Sequence, residues 1–204
     1  MRAPVAAIVF RGDREHAAAA AVFAQLAVTV SQHTSVVNFF SYFTIESNII
    51  GVVVFAAGAV LAGLRAVPSP LWLAVRGASV VYLAFVGLVF NTVLTGTDLG
   101  DLIPWVNVVH HMVMPIAVVV DWLLWPPTTR TPLRLVAVWL IYPALYTAYS
   151  LIRGANVGFY PYPFFNPAVQ AGYGGVAIYC AVLLVAFLVL GLLIRRLGNR
   201  RSRA

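Results

Sequence analysis

The sequence predicts an all-α integral membrane bundle of six transmembrane helices with both termini cytoplasmic. Three observations lead there. First, 62% of the 204 residues are hydrophobic and 9% charged, whereas soluble domains run near ~45–50% apolar and ~25% charged. Second, windows of ~19 residues isolate six apolar segments, approximately 17–30, 39–64, 71–94, 105–125, 133–152 and 172–194. Third, the arginines alternate from one connection to the next. At ~20 residues per span the chain holds at most about seven or eight crossings, so residues 1–204 form a single domain ending in a basic tail, 195–204.

The first segment is the weakest. Arg11, Asp13, Arg14, Glu15 and His16 flank it, leaving about 14 apolar positions, short of the ~20 of a full span. The same stretch also fits the h-region of a signal peptide; the want of an A-x-A site after Val30 favours a short first helix. Two later connections are better punctuated. Pro68, Ser69 and Pro70 close the second, and residues 126–132, bounded by prolines, form the fourth. Trp72, Trp105, Trp122 and Trp125 fall near span ends, where amphipathic rings anchor in the headgroup zone.

With a cytoplasmic N-terminus, Arg2, Arg11, Arg14, Arg65, Arg76, Arg130, Arg134, Arg195, Arg196, Arg200, Arg201 and Arg203 all fall inside, and only Arg153 outside. The outer loop with Asp98 and Asp101 has none. This is the positive-inside pattern of a multi-pass protein of a plasma membrane, here expected to be a bacterial inner membrane.

The net charge of +7 therefore orients helices and does not mark a nucleic-acid binder. All basic residues are Arg, and without Lys there is no Schiff-base chemistry and no P-loop lysine. One cysteine, Cys180, allows neither an internal disulfide nor a cysteine-based zinc site. The adjacent pair His110 and His111 is a poor chelate, because neighbours on a helix point ~100° apart. A haem held by His33 and one of that pair has nothing else to fix it, so no metal and no cofactor is expected.

Polar groups gather in the outer half. The second span runs inward and carries Thr44, Glu46, Ser47 and Asn48 about 7–14 Å below its outer end, at ~1.5 Å per residue. The fourth starts after Pro104, with Asn107, His110 and His111 about 3–10 Å deep on the same rise. Asn91 ends the third span, and Tyr142, Tyr146, Tyr149 and Arg153 form a stripe on the fifth. Thr44, Ser47, Asn48 and Gly51 share one helical face, and Glu46 points away from it. Such groups are either hydrogen-bond glue between helices or a site. Thr44, Asn48, Asn107 and one histidine are expected to line one cavity, with Arg153 or a histidine as partner to Glu46. Pro115 cannot donate to the carbonyl of His111, so the helix should open there. The connection 154–175, rich in Tyr, Pro and Phe, is placed to cap the bundle. Asp121, near the cytoplasmic end, reads as the partner of a helix-end or loop arginine.

The runs Asn38-Phe-Phe-Ser-Tyr-Phe-Thr44-Ile-Glu-Ser-Asn48, Trp105-Val-Asn107 with His110, His111 and Pro115, and Tyr160-Pro-Tyr-Pro-Phe164 resemble the small bacterial six-span membrane proteins of the Pr6Pr type. More distantly they are similar to the animal androgen-induced and androgen-dependent membrane proteins, which hydrolyse fatty acid esters of hydroxy fatty acids. The bacterial resemblance covers nearly the whole chain, the animal one three short stretches. It implies an intramembrane threonine nucleophile, which carries over to Thr44, and a histidine partner. Counting from Asn107 selects His111; counting back from Pro115 selects His110, because this segment is one residue shorter than the animal pattern. His111 is favoured by its relation to Asn107 and the helix opening. The charged stretch 11–16 departs from the family, which has apolar residues there.

A threonine hydroxyl needs a base, and neutral imidazole is the usual one. Asn48, Asn107 or Arg153 are candidate oxyanion donors; Glu46, Ser47, Asn91 and Tyr149 complete the candidate binding set. The expected function is a membrane-embedded hydrolase of lipid or fatty esters, its partners being membrane lipids and a fatty-ester substrate. The competing reading is a non-catalytic bundle that binds a lipid or small molecule as a transporter or sensor, since a polar outer cavity serves both.

Overall fold

The computed structural model describes residues 2–97 and 100–202, and among these there is helix and connection but no strand. Asp98 and Arg203 lie outside the described residues, as do the side chains of Arg2 and Arg201. The helices are α1 (Arg2–Ser31), α2 (Val36–Phe40), α3 (Phe43–Gly63), α4 (Pro70–Thr92), α5 (Pro104–Leu124), α6 (Arg134–Val157) and α7 (Tyr173–Arg201). Helices α3 to α7 are each long and apolar enough to cross a membrane.

Helix α1 runs well beyond the apolar stretch 17–30 and packs along α3. Its charged turn is accommodated from a distance. Arg11 is buried, and its Nε donates to Asp121 Oδ1 at 2.7 Å while Nη1 donates to Gly58 O at 2.9 Å. Arg76 of α4 holds the other oxygen, Nη2 to Asp121 Oδ2 at 2.7 Å, and also donates to the carbonyl of Trp125 at 2.7 Å. Asp121 thus has arginine partners, as expected, but both lie inside helices and are buried. Trp125 and Trp122 cover the guanidinium groups of Arg11 and Arg76 at 5.5 and 5.1 Å. Trp122 is accordingly no headgroup anchor: it is fully buried, and its Nε1 donates to Ile194 O at 3.0 Å. These contacts bring the first half of α1, the start of α4 and the ends of α3, α5 and α7 to one end of the bundle.

The segment expected as one span from residue 39 is two helices, broken at Ser41 and Tyr42. A helix start leaves N–H groups without internal acceptors. Tyr146 of α6 repairs the break: its hydroxyl accepts from Phe43 N at 3.1 Å and donates to Ser41 O at 2.9 Å. The whole stripe on α6 works this way. Tyr142 donates to Glu46, Tyr149 shares a hydrogen bond with Ser41 Oγ at 3.0 Å, and Arg153 donates to Asn38 Oδ1 at 2.7 Å. Residues at helical spacing on α6 therefore clasp the α2–α3 corner from position 46 back to position 38. Arg153 sits too far along that ladder to serve Glu46, whose partner is Tyr142.

Two prolines inside helices are answered by neighbouring side chains. Pro143 leaves the carbonyl of Trp139 without its helical donor, and Tyr82 of α4 donates to it at 3.0 Å. Pro115 follows a π-helical turn, Val109–Val113, which is the opening anticipated from the sequence. The carbonyl of His111 accepts there from Asn91 Nδ2 at 3.2 Å. In lipid the helices gain little from hydrophobicity, and close packing over small residues substitutes for it. Gly87 is one such point: a Cβ there would lie 2.7 Å from the ring of Pro115. Gly77 is another, at 2.5 Å from Trp139.

Candidate functional site

Thr44 lies in the first turn of α3, where its N–H has no intrahelical acceptor. Tyr162, from the connection after α6, supplies one: Thr44 N donates to Tyr162 Oη at 3.2 Å, and Thr44 Oγ1 shares a hydrogen bond with the same oxygen at 3.2 Å. Tyr162 is buried against Phe164, whose ring stacks on it at 5.1 Å, and against Tyr42 at 5.6 Å. Burial pushes the phenol up to about 12, so it stays protonated at neutral pH and remains a hydrogen-bond donor. The connection thus caps the bundle through a short 3-10 turn, Pro163–Phe165, with Phe164 and Phe165 buried.

Beneath the cap is a cavity of about 370 Å³ between α4, α6, α7 and the start of α3. Its wall is Phe85, Val86, Val89, Phe90 and Leu94 from α4 and its end, Leu140, Pro143 and Ala144 from α6, and Cys180, Leu183, Leu184 and Phe187 from α7. Thr44, Tyr146, Thr147 and Tyr162 also line it. Two of those hydroxyls are taken: Tyr146 bonds the α2–α3 corner, and Thr147 Oγ1 donates to Pro143 O at 2.9 Å. Thr44 and Tyr162 are bonded to each other and mark the polar end of an otherwise apolar chamber. The size lies in the range of small-ligand pockets, ~300–1,000 Å³.

The histidines lie behind this chamber and do not line it. His111 is held on one ring edge and one face. Its ring stacks on Phe90 at 3.6 Å between centroids, and Nδ1 bonds Asn107 Oδ1 at 2.6 Å and Asn107 O at 3.1 Å. Asn48 bridges the backbones of the two helices, its Nδ2 donating to the carbonyl of Thr44 at 2.9 Å and to that of His110 at 3.5 Å. Asn48 Oδ1, His110 Nε2 and Ser47 Oγ are all buried without a hydrogen-bond partner, an arrangement that costs about 1–3 kcal/mol per group. These unpartnered atoms leave hydrogen-bonding capacity free on α3 and α5.

The single cavity expected from matched depths is therefore divided. Thr44 faces the apolar chamber, Asn48 is wholly buried between helices, and Asn107 opens with Asn91 onto a second, outer pocket of about 350 Å³. Phe90 and Leu94 line both spaces and form the partition. Equal depth on two helices fixes height but not azimuth, and π-helical winding at Val109–Val113 rotates the imidazoles relative to a regular helix. The shared face of α3 is as read: Thr44, Ser47, Asn48 and Gly51 are all buried, and Glu46 turns from them to Tyr142. Asn91 and Tyr149 serve as interhelical hydrogen-bond glue. Tyr162 carries no candidate role in the sequence reading; its only signal was the Tyr160-Pro-Tyr-Pro-Phe164 run.

Comparison with protein-family models, with curated proteins and with solved structures yields no match for this chain.

Proposed function

We propose that the protein is a membrane-embedded hydrolase of lipid or fatty esters, with Thr44 as nucleophile and His110 as general base. The observation that carries this reading is the position of Thr44 Oγ1, at the one polar end of a 370 Å³ apolar chamber. An ester lying there with its acyl part among the α4, α6 and α7 side chains presents its carbonyl to the hydroxyl. His110 Nε2 takes the hydroxyl proton directly or through one water as Thr44 Oγ1 bonds to the carbonyl carbon. Tyr162 Oη donates to the resulting oxyanion. Collapse expels the alcohol, protonated by the imidazolium, and water then releases the acid from the acyl-threonine by the reverse proton path. His110 replaces His111 in this role because its Nε2 is buried and unpartnered while Asn48 bridges the backbone carbonyls of Thr44 and His110, whereas the His111 ring is engaged by Asn107 and Phe90.

A specific observation favours a second reading, non-catalytic binding of a lipid or small molecule: the hydroxyl of Thr44 is bonded to a phenol and to no imidazole. Labelling with a fluorophosphonate separates the two, since it requires an activated hydroxyl. The expected result is covalent labelling of the purified protein that disappears in Thr44→Ala. A parent protein that takes no label under turnover conditions makes the chamber a binding site only.

The same reading includes six spans, with α1 as the first, and both termini cytoplasmic in a bacterial inner membrane. Support comes from the length of α1, about 45 Å at 1.5 Å per residue, and from the gathering of Arg11, Arg76 and Arg195 at one end of the bundle with Asp121 and Thr131. Reporters fused to the N-terminus and within the α4–α5 connection at Gly96 are expected on opposite sides, because α1, α3 and α4 lie between them. Finding both on one side removes α1 as a span.

A further inference from the structure

We propose that the chamber takes a single acyl chain directly from the bilayer, through a gap between α6 and α7 at Ala144 and Leu184, and that Phe85, Leu140 and Phe187 form the floor that limits its length. The inference rests on the lipid-binding part of the reading above and adds the route and the selectivity. Ala144 and Leu184 both line the chamber and both are exposed, Leu184 at 42%. Each lies near the middle of a helix long and apolar enough to cross a membrane, so the medium outside that gap is hydrocarbon. Ala144 contributes only a methyl group to the α6 side of the lining, and Pro143 breaks the backbone ladder of α6 beside it.

The floor is aromatic. Phe85 and Phe187 meet edge to face at 5.4 Å, and Tyr82 stacks beneath Phe187 at 6.2 Å. Tyr82 is itself tethered to the carbonyl that Pro143 frees, which makes this end rigid. From Leu94 to Phe85 the α4 wall covers about 13 Å at 1.5 Å per residue. At roughly 30 Å³ per water-sized group, about a dozen methylene-sized groups fit in the chamber. That is one chain of medium length, with its carbonyl at Thr44; a second chain has no room and stays in the bilayer or belongs to the leaving alcohol.

Cys180, the sole cysteine, lines the chamber and reports on its occupancy. The test uses full-length protein in lipid nanodiscs and the rate at which Cys180 adds to N-dodecylmaleimide, which partitions into the bilayer. Ala144→Trp and Leu184→Trp are expected to slow that addition at least tenfold. Ala137→Trp, on the exposed surface of the same helix and outside the lining, is expected to match the parent. Two portal variants are used so that one misfolding leaves the other informative, with folding checked by thermal melt. Labelling that is equally fast in folded Ala144→Trp and Leu184→Trp overturns the portal. Phe187→Ala is expected to move the preferred ester length upward by several carbons; an unchanged preference overturns the floor. The outcomes separate the two proposals: slowed labelling in a protein without turnover removes the hydrolase and retains the acyl site, whereas normal turnover with unslowed labelling retains the hydrolase and removes the portal.

Discussion

Replacing Thr44 by Ala is expected to reduce turnover of a medium-chain nitrophenyl ester by at least the ~10²–10⁴-fold that a positioned proton-transfer partner contributes. His110→Ala should fall to a similar residual rate, and the double variant no further, because nucleophile and base act as one unit and their losses do not add. Thr44→Ser keeps the hydroxyl and removes a methyl, so a hydrolase retains part of its rate. His111→Ala discriminates the two imidazoles. Its ring stacks on Phe90 and bonds Asn107 at 2.6 Å, so its loss should lower stability through a cavity at the chamber wall while leaving the order of the Thr44 series intact. Turnover measured in nanodiscs alongside a thermal melt reads both effects. Parent-level turnover in folded Thr44→Ala eliminates this nucleophile. Loss confined to His111→Ala returns the base to the position counted from Asn107.

The second large effect is on folding. Asp121→Asn is expected to destabilise the protein by about 3–5 kcal/mol, the cost of leaving a buried charge without its partner. Asp121 is 2% exposed and is the only acidic group that Arg11 and Arg76 meet among the described residues, so the substitution leaves two buried guanidinium groups facing an amide. Arg11→Met is milder. It removes the donor to Gly58 O and one limb of the cluster, but Asp121 keeps Arg76 at 2.7 Å as a neutral pair; about 1.5–3 kcal/mol is expected, the range for hydrogen bonds to charged groups. Trp122 and Trp125 lie over these guanidinium groups, so denaturant titration followed by tryptophan fluorescence in micelles reads the transition. Equal midpoints for Asp121→Asn and Arg11→Met contradict a charge-balance origin.

Composition and apolar run length were sufficient to mark α3 to α7 as helices that can cross a membrane, because a bilayer imposes ~20 apolar residues on any span regardless of what it packs against. Helical period likewise exposed the buried face of Thr44, Ser47, Asn48 and Gly51, the outward turn of Glu46 and the clasping stripe on α6, since each depends only on residues within a few turns. The carbonyl that Pro115 strands was legible for the same local reason. Tertiary structure decided everything that needed a distant partner. The reach of α1 through its charged turn depends on Asp121, 110 positions away. The partner of Glu46 depends on how far α6 slides along α3, and the choice of Tyr142 over Arg153 is a matter of two or three turns. The azimuth of the imidazoles, the partition made by Phe90 and Leu94, and the hydrogen bond from Tyr162 to Thr44 arise from helix rotation and loop docking. A periodic pattern records which face is buried but carries no term for what faces it, because in lipid, side-chain packing and interhelical hydrogen bonds select the neighbour and hydrophobicity does not.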